Sequence, residues 1–480
     1  MNLSNLNYSI RISKKINFLL KYIDSFIDSK NIENIYIKLS RQLKIPLKEI
    51  KFYQKKILFN SFNFKSNKFD NKINFLSIIK YFLIYHFYII TIFLFRDKKK
   101  FQNKIKNKRK IWLIDKIMSP VDFKRYYQLS KNTPISFKIS DNNLKKKSNY
   151  IFLKKYFRYN TDFNDYKFFF KISFKILRQC LITKKNLYYL ILSLIESNFY
   201  YKLLFNKYNV SFLISHLHYD TNNISNFYLR KKKGKCIIIQ KNINARNHTG
   251  YFYDADICFS IGKKIKLHES KYSRISKQIP LGSFFMENHF HLQKKQNKFN
   301  YDLVIIGGNQ MKPNGFFDNS KYHRIGYKKH LEWIKILSKK YPHLKIGFKH
   351  HSNYIDNYEK RYFSGSGVKM VNRHTNSYHL AASAKLVLSW ASTMIIELRS
   401  INTRSFFLNP YKTNDQFMTD IYNPKDIIIN NFNDIEKKIK KYIFTNSSCK
   451  KEKSNDNYCM KSMNYSKKLT RILKDNEIKN

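Results

Sequence analysis

A chain of 480 residues is long enough to hold two or three domains, each with a core of its own. Lys, Asn, Ile, Phe and Tyr dominate it, as codon bias would dictate, yet 92 Lys+Arg against 32 Asp+Glu leave a formal charge of +60, which such bias alone does not produce. That excess fits polyanionic surroundings or a polyanionic ligand. Cys180, Cys236, Cys258, Cys449 and Cys459 stand apart with no Cys-x-x-Cys pair, which argues against a zinc site or a disulfide framework and fits a reducing cytoplasm.

Residues 1–72 show helix-length apolar periodicity, as at 16–26 and 32–43, and the opening residues lack the apolar core and cleavage site of a signal peptide. The most apolar stretch follows at 73–95, nominally long enough to cross a bilayer. Lys80 lies inside it and both flanks are basic, so the positive-inside rule assigns no orientation. Residues 96–110 then carry nine Lys/Arg and one Asp. An apolar segment followed by a polybasic run predicts monotopic attachment to an anionic inner leaflet, with a buried core helix beside a solvated basic helix as the alternative.

A first buried strand is expected at 111–117. Between 136 and 184 aromatic and basic residues interleave without a clear period and leave the elements unassigned. Such interleaving can bind single strands of nucleic acid, but it matches the composition bias equally well, and nucleic acid is the disfavoured partner. A long helix at 186–207, strands at 210–214, 235–240 and 256–260 and a helix at 222–233 then alternate as in a parallel sheet. All eleven glycines fall at or after Gly234 and all six alanines at or after Ala245, so close backbone approach is confined to the second half.

The polar stretch 293–300 reads as a hinge before a second alternation: a strand at 302–306, a helix near 322–340, strands at 345–349 and 368–371, and a helix at 377–383. The most informative stretch comes next, at 385–409, as strand, hydroxyl-rich turn, helix and strand. The organisation is therefore a helical region at 1–110, an α/β half at 111–292, a second at 301–445 and a polar basic tail at 446–480, partly disordered.

Candidate site residues gather in the second half. Gly307 and Gly308 follow a buried strand and would let a phosphate or sugar approach the sheet edge. Lys349, His350 and His351 end the next strand, and neighbouring strand residues face opposite ways, so one histidine at most need face a cleft. Ser389, Ser392 and Thr393 stand at the start of a helix, where backbone N–H groups bind phosphate, and Glu397 lies within reach of a ribose placed there. In the first half, Ser-His-Leu-His-Tyr-Asp follows a strand and offers Asp220, then His218, as a base. Asp254 and Asp256 have Asp-x-Asp spacing, but the second opens a strand, and no metal site is assigned.

The order of these features resembles the nucleotide-binding domain of GT-B-type glycosyltransferases that build bacterial surface and capsular polysaccharides. Those carry a basic-x-His-Pro strand end, a hydroxyl-rich turn with a downstream Glu, and a strand ending in Pro. The corresponding residues are Lys349 with His350 or His351, Ser392 and Thr393 with Glu397, and Phe407 to Pro410; Ser352 replaces the Pro after His, and Asn402 a Gly before the last strand. The resemblance implies two Rossmann-like α/β domains, a donor diphosphate held by the His and the Ser/Thr turn, and a ribose held by Glu397. It implies transfer of a sugar from a nucleotide-sugar to a polysaccharide or lipid-linked acceptor, without a metal or other cofactor, at the cytoplasmic face of the membrane. A CDP-polyol phosphotransferase of the teichoic-acid type shares these features, a sugar-nucleotide 2-epimerase shares the fold, and a non-enzymatic polyanion-binding protein remains the alternative from another class.

Overall fold

The computed structural model describes residues 8–63, 75–94, 110–117, 135–139, 163–215, 221–241, 252–264, 271–295, 299–308, 320–350, 358–372, 374–390, 392–410, 427–445, 457–461 and 463–478, with Phe123, Tyr126 and Leu129. In the first half six strands, β1 (Ile111–Ile117), β2 (Ile135–Ile139), β3 (Val210–Ser215), β4 (Lys235–Ile239), β5 (Asp254–Ser260) and β6 (Arg274–Pro280), pair in the order β2-β1-β3-β4-β5-β6. Every pairing is parallel. The central strands read as near-continuous Ile, Leu and Phe because helices cover both faces of a parallel sheet.

One face carries Leu113, Leu213, Cys236 and Ile238, which share a core with the helices α1 (Tyr8–Ile27), α2 (Lys30–Leu43), α3 (Leu47–Asn63), α4 (Phe75–Leu94), α5 (Phe163–Thr183), α6 (Leu187–Lys207) and α7 (Asn223–Lys231). The helices that precede the first strand are thus a layer of this half.

In the second half β7 (Tyr301–Ile306), β8 (Ile346–Lys349), β9 (Lys369–Met370), β10 (Ala384–Ser389), β11 (Ser405–Leu408) and β12 (Ile428–Ile429) pair in the order β12-β11-β10-β7-β8-β9. All are parallel. The helices are α8 (Ser320–Lys340), α9 (Tyr358–Tyr362), α10 (Ser377–Ala382), α11 (Met394–Arg399) and α12 (Phe432–Ile439). Read outward from β7 this is the strand order of a dinucleotide-binding sheet. Two doubly wound α/β units are the fold class expected from the sequence.

A 3₁₀ segment, Phe284–Lys295, leads from one half to the other, with Phe284 in the first core and Met286 and Leu292 in the second. The chain later crosses back. The Met460 N–H donates to Ile261 O (3.0 Å) and the Lys264 N–H to Asn457 O (3.0 Å). Gly262 permits this approach, since a Cβ there would lie 2.4 Å from Tyr458 O. The last helix, α13 (Tyr465–Ile478), then lays Tyr465, Leu469 and Leu473 on the second face of the first sheet, against Trp112, Ile114, Phe212 and Phe259. Within the tail that the sequence suggests is partly disordered, Tyr465–Ile478 is a core-forming helix.

Candidate functional site

Open parallel sheets bind ligands where the strand order reverses, at the carboxyl ends of the strands. In the second sheet that point lies between β7 and β10, whose ends are Ile306 and Ser389, in register with each other. Gly307 and Gly308 follow β7 there. Packing already accounts for both: a Cβ on Gly307 would lie 3.0 Å from Lys349 O, and one on Gly308 2.8 Å from the Trp390 ring. Trp390, fully buried directly after β10, lies 6.3 Å from the rings of both Tyr327 and His330 on α8. It anchors the hydroxyl-rich turn to the core. Burial lowers the His330 pKa to about 3, so this ring is a neutral packing element at physiological pH.

Lys349 ends β8 beside the same edge, is 5 % exposed and donates from Nζ to Asn372 O (3.4 Å). Burial pushes its ammonium below the usual lysine range. The next residue, His350, is half-buried, with Nδ1 3.2 Å from the fully buried Glu359 on α9, which also accepts from Tyr327 Oη (2.8 Å). A carboxylate on one ring nitrogen fixes the orientation of the imidazole beside this sheet edge. His351, Asp220 and His218 lie outside the described residues.

The hydroxyl turn divides its roles. Ser389 donates to Ile306 O (2.9 Å) and so ties the two strands of the switch point together. Ser392 Oγ accepts from the Met394 N–H (3.3 Å), and the half-buried Thr393 makes no capping bond. The helix they open, α11, has only six residues. Its dipole is correspondingly that of less than two turns, so the diphosphate-binding strength expected of a helix start is reduced. The α11 segment ends in a Schellman motif, with Asn402 N–H donating to Arg399 O and Thr403 N–H to Leu398 O (both 3.1 Å). Asn402 has φ 62°, which is why an Asn can stand where the resembling family places Gly.

Glu397 is 3 % exposed, and each of its carboxylate oxygens accepts a hydroxyl: Oε1 from Ser283 and Oε2 from Tyr378 (2.6 Å). Ser283 follows β6 in the first half and Tyr378 lies on α10, so the carboxylate joins the two halves. The Tyr378 ring stacks on His289 from the 3₁₀ segment (4.5 Å, 19°). Ser283, Tyr378 and His289 escape the sequence reading because their roles depend on contacts made only in the fold, that of Ser283 with Glu397 across 114 residues. In the first sheet the switch point lies between β1 and β3, where the buried Asp115 is in register with Ser215, the last described residue before His218 and Asp220 in the sequence. An Asp inside the apolar strand Ile-Trp-Leu-Ile-Asp-Lys-Ile was the available signal. Asp254 and Asp256 serve the fold: Arg230 bonds both (3.1 and 2.9 Å), Asn226 donates to Asp254, and the Cys236 N–H donates to Asp256.

No protein-family model and no curated protein matches this chain. Among solved structures, UDP-GlcNAc 2-epimerase from Methanocaldococcus jannaschii is similar over 76 % of this chain and 100 % of its own, at 13 % identity and a TM-score of 0.43. The 2-epimerase from Neisseria meningitidis, bound to UDP-GlcNAc, is similar to the same extent. The wall teichoic acid polymerase TagF, soaked with CDPG, covers 85 % of this chain and 99 % of its own at 11 % identity and a TM-score of 0.43. At such identities no activity transfers to this chain.

Proposed function

We propose that the chain is a GT-B-type glycosyltransferase that moves a sugar from a nucleotide-sugar to a surface polysaccharide or lipid-linked acceptor. The observation that carries this reading is Glu397: a buried carboxylate with a hydroxyl on each oxygen, on the helix that follows the switch-point strand β10, in the half where Lys349 holds a cation short of water. Such a carboxylate is matched to the vicinal hydroxyls of a ribose. A diphosphate on the same edge restores to Lys349 the charge stabilisation that burial removed.

In this mechanism the ribose hydroxyls take the places of Ser283 and Tyr378 on Glu397, and Lys349 and His350 take up the negative charge that grows on the leaving nucleoside diphosphate. The acceptor enters between the halves, and a base in the sequence that follows β3, Asp220 or His218, removes its hydroxyl proton. Exchange of Ser283 for a ligand hydroxyl links donor binding to movement of one half against the other.

The test is a thermal-shift panel of UDP-, CMP-, CDP- and GDP-linked donors, CDP-glycerol included, on the wild type and Glu397→Ala. A ligand at a hundred times its Kd raises stability by about 2.7 kcal/mol. One nucleotide class should stabilise the wild type, and loss of charge-assisted hydrogen bonds worth roughly 1.5–3 kcal/mol each should weaken that class at least tenfold in the mutant. A shift with CDP-glycerol alone would replace the sugar transferase by the polyol-phosphate transferase. No shift with any donor in a folded sample would overturn the reading.

A further inference from the structure

The helix α4 is mostly apolar, with Lys80 its one charged residue, and by length and composition it could cross a membrane; only 22 % of its most apolar window, Phe75–Ile92, is buried. Its inner face, Ile78, Tyr85, Ile89 and Ile92, packs in the core of the first half, with Tyr85 Oη donating to Phe169 O (3.2 Å) and the Tyr85 ring 5.3 Å from Tyr188. At 100° per residue, Leu76, Leu83, Phe87, Ile90 and Leu94 fall on the opposite face. All five are exposed, Phe87 by 74 % and Leu76 by 73 %.

The neighbouring helix α5 continues this surface. Phe170 and Phe174 are exposed and sit against α4, 5.2 Å from His86 and 6.1 Å from Phe82. Next to that stripe, at spacings of four, four and three, α5 exposes Lys167, Lys171, Lys175 and Arg178. On α2 behind them, Lys38 is held below the usual lysine range by the ammonium of Lys175, then by Lys171 and Arg41. The one carboxylate of α5, Asp165, accepts from Gln42. An apolar ridge, interrupted by the exposed Lys80 between Leu76 and Leu83, is therefore bordered along one side by crowded cations.

We propose that α4 and α5 together form a docking surface for an anionic lipid bilayer, with the ridge of α4 in the acyl boundary and the cations of α5 and α2 at the headgroups. Amphipathic surfaces of this kind bury their apolar face about 5–10 Å deep, and each basic residue near an anionic surface contributes about 1 kcal/mol. The inner face of α4 belongs to the protein core, so the helix lies on the bilayer and does not span it. A second copy of the chain is the poorer occupant, because such a contact would bring together two faces that each carry a row of cations, on a protein of charge +60. The surface is independent of the donor site.

The test is flotation of the full chain with vesicles of phosphatidylcholine alone and of phosphatidylcholine with phosphatidylglycerol. Wild type should float with the anionic vesicles. Leu83→Glu/Phe87→Glu should lower the bound fraction at least tenfold, and Lys171→Glu/Lys175→Glu should remove the preference for phosphatidylglycerol. Both pairs are exposed, so melting temperature and donor-induced shift serve as controls and should not move. Wild type that floats with neither vesicle, or a Leu83→Glu/Phe87→Glu protein that floats like wild type, overturns the proposal. So does a wild-type oligomer in solution that this variant converts to a monomer, which would assign the face to a second copy. Loss of donor shift with flotation intact would count against the transferase reading alone.

Discussion

Asn402 shows how a single residue can keep a turn while changing its cost. Its left-handed φ of 62° closes the α11 segment, and its Oδ1 is buried without a hydrogen-bond partner among the described residues. The left-handed region costs a residue with a Cβ roughly 1–2 kcal/mol, less where a short polar side chain helps. Asn402→Gly should therefore raise the melting temperature, by relieving both the Cβ and the stranded oxygen, while Asn402→Ala should lower stability by about 1 kcal/mol. Denaturant melts of the two variants check this, and equal effects would mean that the backbone angle does not govern the site. Here the departure from the family pattern was visible in the sequence, but its harmlessness depended on an angle that only the folded chain supplies.

At the scale of elements, the buried central strands were legible because helices on both faces force continuous apolar runs. The edge strand β6, Arg-Ile-Ser-Lys-Gln-Ile-Pro, was not, since its position at the sheet margin lets polar residues replace the run. The helix α5 escaped assignment for the opposite reason. Phe169, Ile172 and Ile176 point to the core and Phe170, Phe174 and Leu181 point away from it, so two apolar stripes blur the single period by which an amphipathic helix is recognised. The helix α13 was hidden by its lysines, although Tyr465, Leu469 and Leu473 keep the spacing of one face. Truncating a fully buried Leu costs about 2–5 kcal/mol. Leu469→Ala should fall in that range, with unfolding followed by urea; a loss under about 0.5 kcal/mol, the level of surface substitutions, would mean that α13 does not hold the first half.

Over the whole molecule, the candidate site was legible as a set of residue types but not as a connection. Lys349 and Glu397 could be chosen from the second half alone, whereas the bond from Ser283 to Glu397 belongs to neither half by itself. Ser283→Ala leaves a buried carboxylate oxygen with one hydrogen bond fewer, a loss of about 1–3 kcal/mol. It also removes the group that a ligand hydroxyl must displace. The expected result is a lower melting temperature without ligand and a larger donor-induced rise. A smaller rise than in wild type would make Ser283 a ligand contact rather than a competitor.

The return of the chain to its first half also sets an order of events during synthesis. The strands of the first sheet leave the ribosome early, but the face bearing Trp112, Phe212 and Phe259 receives α13 only after the whole second sheet has been translated. Domains are usually completed in the order in which they are made. Here the half made first is finished last, and until then it presents an unsealed aromatic surface to chaperones and to other nascent chains.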